Sequence, residues 1–371
     1  MTFNELPLGN VLDFYNGKSI KPGGEGVFPV YGSNGIIGGC NEPIYSDALI
    51  IGRVGAYCGA VQYCKSQFWA SDNTIVAKTK EGYDTQFSYY LLSDIDLHSY
   101  AGGAAQPLLT QTTIKQLKVK VPSLPTQRRI ADILSAYDDL IENNARRIRI
   151  LEQMAQAIYQ EWFGKVDEKS LPKGWKIVTV ADLYNTASGG TPSRKQSEYF
   201  GGKINWVKTQ ELQDCFIFNT DEQITEDGLN NSSAKIFPKG TVLIALYGAT
   251  IGKLGILALP ASTNQACCAL LPKEEIYGRG YAYFYFLANR QKIIALGAGA
   301  AQQNISQVIV KQLEILKPPP EVMDKFNSFV EPLLDMICSL QAKTDNLLRT
   351  RDLLLPRLVS GDVDVSGLKN N

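Results

Sequence analysis

One stripe of positions runs through residues 125–164 in steps of 4, 3, 4 and 3: Ile130, Leu134, Tyr137, Ile141, Asn144, Ile148, Leu151, Ala155, Ile158 and Trp162. A mainly apolar repeat of 3.5 residues marks a helix whose seam is supercoiled against a partner. The same steps return 196 positions later, at Phe326, Val330, Leu333, Ile337, Leu340, Thr344, Leu347, Arg351, Leu354 and Leu358. Taken singly, each stripe also fits a helix buried against its own domain. Two copies in phase at a constant offset predict one coiled coil of two long helices.

The first helix is expected over residues 126–163, with Thr126 as its N-cap and Gly164 just past its end. Pro332 and Pro356 fall inside the second. Proline lacks an amide donor and crowds the preceding turn, so a kink or late start is expected near the first and an end or bend near the second. Asn144 and Thr344 interrupt the seam near its middle. A buried polar group without a partner costs about 1–3 kcal/mol, so they are predicted to face each other across an antiparallel layer.

The segments between the helices show period-2 patterning and glycine turns. Residues 29–37 (PVYGSNGII) read as strands around a Ser-Asn-Gly turn, and residues 48–61 (ALIIGRVGAYCGAV) as strand, glycine turn and strand. Residues 83–93 read as a helix, and 101–122 as a Gly/Ala loop, a short helix and a strand ending at proline. The second segment repeats this order: TVLIALYGATIGKLGIL at 241–257 matches 48–61, ASTN at 261–264 matches ASDN at 70–73, and the loop beginning at Gly297 again leads to Lys-Gln-Leu and a proline. A loop–helix–strand unit feeding a long helix thus occurs twice. The fold class is α/β (α+β): two pseudo-twofold-related mixed α/β domains joined by two long antiparallel coiled-coil helices. The expected divisions are a first domain at 1–124, a spacer helix at 125–164, a second domain at 165–319, a second spacer helix at 320–361 and a tail at 362–371.

A chain of 371 residues is long enough for two domains with separate cores. Lys+Arg and Asp+Glu are equal at 37, so no global positive field favours nucleic acid and any such role falls to local patches. Seven cysteines without a CxxC pair, and His98 as the one histidine, argue against a zinc site and fit a cytosolic protein. No signal peptide and no membrane span is expected.

No catalytic constellation emerges. Gly17-Lys18-Ser19 resembles the end of a phosphate-binding loop, but Leu12 stands where its first glycine belongs. One histidine cannot serve a His-based triad in each repeat. Glycine-supported loops recur instead, carrying amides, hydroxyls, aromatics and scattered bases. Asn and Gln can bond an adenine edge, Arg and Lys a guanine, and Ser, Thr and Lys a phosphate. The candidates are Lys18, Tyr31, Ser33, Asn34, Arg53, Tyr57, Lys65, Asn73 and Gln106 in the first unit. In the second they are Thr191, Ser193, Arg194, Lys195, Lys208, Tyr247, Thr250, Lys253, Asn264, Gln302, Gln303 and Asn304. Each is equally a residue type of turns and solvated surface. Off the seam, Arg146, Arg147 and Arg149 read either as a solvated face or as a docking surface for a partner subunit.

Taken together, LPLGNVLDFYNGKSI, PVYGSNGIIG, the GAAQ loops leading to IKQL and VKQL, VPSLPTQRRIADIL and RDLLLPRLVSG resemble the specificity subunit of type I restriction-modification enzymes, over the whole chain. The resemblance implies two target-recognition domains, each reading half of a bipartite site in double-stranded DNA, with the paired helices as a ruler. It also implies two modification (methyltransferase) subunits that bring S-adenosylmethionine, and restriction subunits that bring ATP and magnesium. This chain would be non-catalytic, without a cofactor of its own, and cytoplasmic. The alternative is an orphan scaffold or regulator that binds partner subunits without reading DNA. The second copy departs from the pattern: Met323 stands where the first has Gln127, which raises the question of equal partner docking on the two sides.

Overall fold

The computed structural model describes residues 2–103, 107–167, 169–297, 304–365 and 367. The two stripes form the helices Leu124–Tyr159 and Pro320–Ser360, and every seam position is buried or half-buried. The chain divides into two compact units, residues 1–142 with 346–371, and residues 143–345. Each long helix therefore contributes a segment to both.

In the first unit Ile130, Ala131 and Leu134, early in the first long helix, share a core with Leu358 and Val359 at the end of the second. Asp138 bonds Arg351 and Arg129 bonds the Val365 carbonyl, so the two segments run antiparallel. In the second unit Leu151, Ala155 and Tyr159 share a core with Phe326, Val330 and Ile337. There the end of the first helix meets the start of the second, with the Tyr159 and Phe326 rings 6.3 Å apart.

The helix ends differ from the expected ones. The first helix begins at Leu124, so Thr126 lies inside the first turn. The Ser123 carbonyl accepts from the Gln127 N–H at 2.9 Å, and the Ser123 and Thr126 hydroxyls are 3.1 Å apart. Pro125 is harmless there, because first-turn amides have no intrahelical acceptor. At the other end the α-helix stops at Tyr159 and widens into a π turn, Gln160–Gly164, which carries Phe163 into the core against Phe326. The second helix runs unbroken through Pro332 and Pro356, with neither a late start nor an early end. Val330 and Leu334 flank one proline, Leu358 and Val359 follow the other, and all four are buried. Burial of such side chains, at about 1.5–3 kcal/mol each, outweighs about 3 kcal/mol per helical proline.

No hydrogen bond joins Asn144 to Thr344. The Thr344 hydroxyl donates to the Leu340 carbonyl of its own helix at 2.8 Å, while Asn144 is 8 % exposed. A threonine within a helix satisfies its hydroxyl one turn back without help from a partner.

Each unit has a main sheet with the same threading. In the first, Leu12–Asn16, Thr74–Thr79, Tyr45–Gly52 and Val61–Ala70 lie side by side in that order, and the hairpin Phe28–Gly32/Gly35–Cys40 joins Val61–Ala70 in parallel. In the second, Tyr184–Ser188, Cys267–Pro272, Val242–Ala245 and Leu254–Leu257 follow the same order, with Cys215–Ile217 at the edge. A two-stranded ribbon closes each unit: Phe3–Pro7 pairs Lys118–Pro122, and Lys176–Thr179 pairs Glu314–Lys317. The short helices Gln111–Gln116 and Gln307–Gln312 are capped alike, by the hydroxyls of Thr110 and Ser306. The units diverge around this layer: the parallel pair Phe200–Val207 and Ala261–Thr263 repeats that of Phe28–Gly32 and Val61–Ala70, but in the second unit it forms a separate sheet with the added strands Gln223–Ile224 and Ile236–Phe237.

Candidate nucleic-acid interface

Neighbouring loops converge on one turn in each unit, at 71–73 and at 264–266. Ala261–Thr263 of ASTN is strand, so the turns align two residues beyond the sequence match of ASTN to ASDN, because the bonds that hold them are made to 264 and 266. In the first unit Lys18 N–H donates to the Ala70 carbonyl at 2.8 Å, and Ser71 N–H to the Tyr31 carbonyl at 2.9 Å. The Asn73 carbonyl accepts from Ser33 Oγ at 2.7 Å and from Arg53 N–H at 2.9 Å. In the second, Gly190 N–H donates to the Thr263 carbonyl, Asn264 N–H to Val207 and Leu246 N–H to Ala266, each at 2.9 Å. Each of these bonds, apart from the Ser33 one, has its counterpart in the other unit. The duplication therefore extends from threading to individual main-chain contacts.

Glycines allow this convergence. Gly55 and Gly248 hold the left-handed conformation, φ +77° and +72°, at the tips of the matching hairpins. A Cβ on Gly189 would lie 1.9 Å from the Thr263 carbonyl oxygen. The turns are thus a common frame, and the side chains on it differ: Arg53 corresponds to Leu246, and Tyr57 to Thr250.

Several first-unit candidates gather on this frame. Lys18, Asn34, Tyr57 and Asn73 are exposed around the turn, with Ser33 and Arg53 half-buried beside it. The Arg53 guanidinium has no partner among the described residues. Tyr31 is a packing residue: its ring meets Phe68 edge-on at 5.5 Å, and burial, then its bond with Cys64, pushes the phenol up to about 12. Lys65 lies over the Tyr63 ring at 5.8 Å, and no contact joins it to the turn.

In the second unit Thr191 donates to Gln265 Oε1 at 2.6 Å, and Asn264 Oδ1 accepts from Ala266 N–H, both on the turn. Tyr247 bridges Asn304 main chain to main chain, and Thr250 closes the same hairpin tip. Ser193 and Lys195 are exposed on the loop that carries Arg194. Arg194 and Lys208 both pair with Glu222, at 2.6 and 2.8 Å. Lys253 is an internal brace, bonded to Asp214 at 3.0 Å beside Arg290, which bonds the same carboxylate. Gln106, Gln302 and Gln303 lie outside the described residues.

Sequence reasoning missed Trp206, Phe200, Glu222, Asp214 and Arg290. Trp206 is buried and donates its indole N–H to the Gly190 carbonyl at 3.0 Å. Trp69 does the same for Lys18 in the first unit, from a different strand. Glu222 is one carboxylate among 37 in the chain and no local pattern marks it. The two bases beside it, Arg194 first and then Lys208, hold its carboxyl down at about 2.

Gln127 is buried. Its Oε1 accepts from Asp84 N–H and its Nε2 donates to the Pro122 carbonyl, both at 2.9 Å. Met323, its counterpart, is also buried, within an apolar core. Both residues therefore face the interior of their own unit. Arg146, Arg147 and Arg149 are exposed.

The arrangement supplies directed donors and acceptors on rigid turns, the equipment of a binding surface. Among the described residues no group of three or more His, Cys, Asp or Glu is placed to hold a metal ion. No described helix is long and apolar enough to cross a membrane. The His98 imidazole Nδ1 lies 3.0 Å from the Cys58 carbonyl oxygen, inside the hairpin.

Fold and loops together define a duplicated recognition protein, with one frame presenting two different sets of polar side chains. The chain belongs to the type I restriction modification DNA specificity domain family, whose model matches residues 2–153 and again 172–348. It is similar to the type I restriction enzyme MjaIX specificity subunit of Methanocaldococcus jannaschii, at 24 % identity over 348 residues, covering 89 % of this chain and 81 % of the relative. It is also similar to the HindI specificity subunit of Haemophilus influenzae, at 24 % identity over 333 residues, covering 69 % and 71 %. Its fold is that of the type I restriction-modification S subunit from M. genitalium: TM-score 0.73 at 17 % identity, covering 99 % of this chain and 97 % of that one.

Proposed function

We propose that this chain is the DNA-specificity subunit of a type I restriction-modification system, each unit reading one half of a bipartite site. The observation that carries this is the pair of matching turns bearing different side chains. A shared frame presents both sets of side chains from matching main-chain turns, and unlike side chains read unlike half-sites. The subunit is non-catalytic, and methyl transfer and cleavage belong to partners. On this reading the partners are two modification subunits with S-adenosylmethionine, and restriction subunits with ATP and magnesium.

A formal net charge of zero is consistent with a chain that does not grip DNA unaided, since phosphate contacts made by partners would supply the salt-dependent part of affinity. Exposed Arg146, Arg147 and Arg149 are the proposed docking face for a modification subunit. The test is to map methylated adenines in cells expressing the modification subunits with and without this chain. The expected result is a two-part motif present only with it. Partner capture without any motif would favour the scaffold reading instead.

A further inference from the structure

We infer that Arg194 reads a guanine in the half-site of the second unit, with Glu222 and the Phe200–Trp206 ring pair as its positioning groups. This rests on the DNA-reading role proposed above and assigns one residue and one base within it.

Three features define the site. The guanidinium carbon of Arg194 lies 4.3 Å from the Phe200 ring centroid and 5.2 Å from that of Trp206. These rings form an edge-to-face pair with centroids 6.0 Å apart, and Trp206 is anchored by its own bond to Gly190. A flat cation over aromatic faces has its plane set by them. Next, Nη1 donates to Glu222 at 2.6 Å, which fixes rotation within that plane. Finally, the side chain remains 55 % exposed, and its Nε and Nη2 have no partner among the described residues. The result is an ordered, outward pair of N–H donors.

Guanine presents two acceptors, O6 and N7, on one edge in the major groove, and bidentate arginine is the usual partner of that edge. A phosphate is the competing ligand and is less well served. Lys208 and Arg194 share Glu222, so the three charged groups sum to +1 rather than +2 and the carboxylate opposes the approach of an anion. The geometry of the fork, in contrast, is improved by the same carboxylate. The loop bearing Arg194 is also pinned to the motif turn, through Gly190 on Thr263 and Thr191 on Gln265, which places it on the candidate reading surface.

The experiment uses the full chain assembled with its modification subunits. The probes are a duplex carrying the site mapped for the wild-type complex and a set with each base pair of the second unit's half-site replaced in turn. The wild type is expected to discriminate at a G·C pair by about 10-fold or more. Arg194→Lys, which keeps the charge but not the fork, is expected to lose most of that discrimination while keeping the salt dependence. Glu222→Ala, which removes the acceptor and frees the fork to rotate, should lower discrimination at the same pair and no other. A half-site without a G·C pair overturns the assignment. So does an Arg194→Lys complex that discriminates as the wild type does while Arg194→Ala weakens every duplex alike, which is the behaviour of a phosphate contact. A wild-type complex with no sequence preference overturns the DNA-reading role itself, and is distinguishable from both.

Discussion

Gln127 shows how a polar residue inside a core can be worth its place. Its amide joins the start of the helix Thr85–Asp94 to the strand that ends at Pro122. Gln127→Met should cost about 1–3 kcal/mol, because an amide N–H and a carbonyl lose their partners in a buried site. Met323→Gln should cost about as much for the opposite reason, an amide placed in an apolar core. Urea unfolding of each variant checks both, and an unchanged midpoint in either would contradict the burial described. Glu222 makes a pH prediction. Its carboxyl is held down at about 2, against an ordinary 4.5, by Arg194 first and then Lys208. A depressed carboxyl stabilises the fold above its unfolded value and loses that contribution as pH falls through about 4.5 towards about 2. With the side chain one-third exposed, screening leaves about 1 kcal/mol or less. Wild-type stability should therefore fall faster than that of Glu222→Gln over this window, measured by thermal unfolding at stepped pH.

At the scale of elements, the long helices are held by more than their apolar stripe. Arg351 occupies a seam position in the second helix, where a charge has to be answered. Asp138 of the first helix answers it at 2.7 Å and accepts from the Tyr90 hydroxyl at 2.5 Å, so three elements of the first unit meet at one carboxylate. Burial, and then the bond to Asp138, keeps the Tyr90 phenol protonated far above its ordinary range. Asp138→Asn should lower stability by about 1.5–3 kcal/mol, the value of hydrogen bonds to a charged group. It should leave the methylated motif unchanged, and the two readouts together separate a structural brace from a reading residue. In the second unit Glu331 plays a related part, accepting from Arg279 Nε at 2.8 Å and from Gly280 N–H at 3.2 Å. A carboxylate from the long helix thus caps a neighbouring helix that starts at a glycine.

For the molecule as a whole, the proposed ruler can be tested by length. Seven residues inserted into each long helix keep the seam in phase and add about 10 Å of rise. At 3.4 Å per base pair that is about three base pairs. Methylation mapping should show both half-sites unchanged and the unread spacer longer by about three, and a constant spacer would show that the helices do not measure it. Exchange of the loops around residues 71–73 and 264–266 should instead alter half-sites at constant spacer.

The seam, the duplicated order of elements along the chain and the matching glycine turns were all legible from residue spacing, because local periodicity and backbone permissiveness are properties of short stretches. The course of the second helix was not: Pro332 and Pro356 are carried inside it because of what packs beside them. Nor could spacing separate the candidates from one another. Tyr31 packs inward, Lys253 braces Asp214, and Arg194 is held outward by a carboxylate 28 residues away. Pairing of that kind comes from long-range strand register, which brings together residues with no signature of their own. Periodicity along the chain thus settled the architecture, while the choice of which polar groups stand free to meet a ligand was made only when distant strands closed around them.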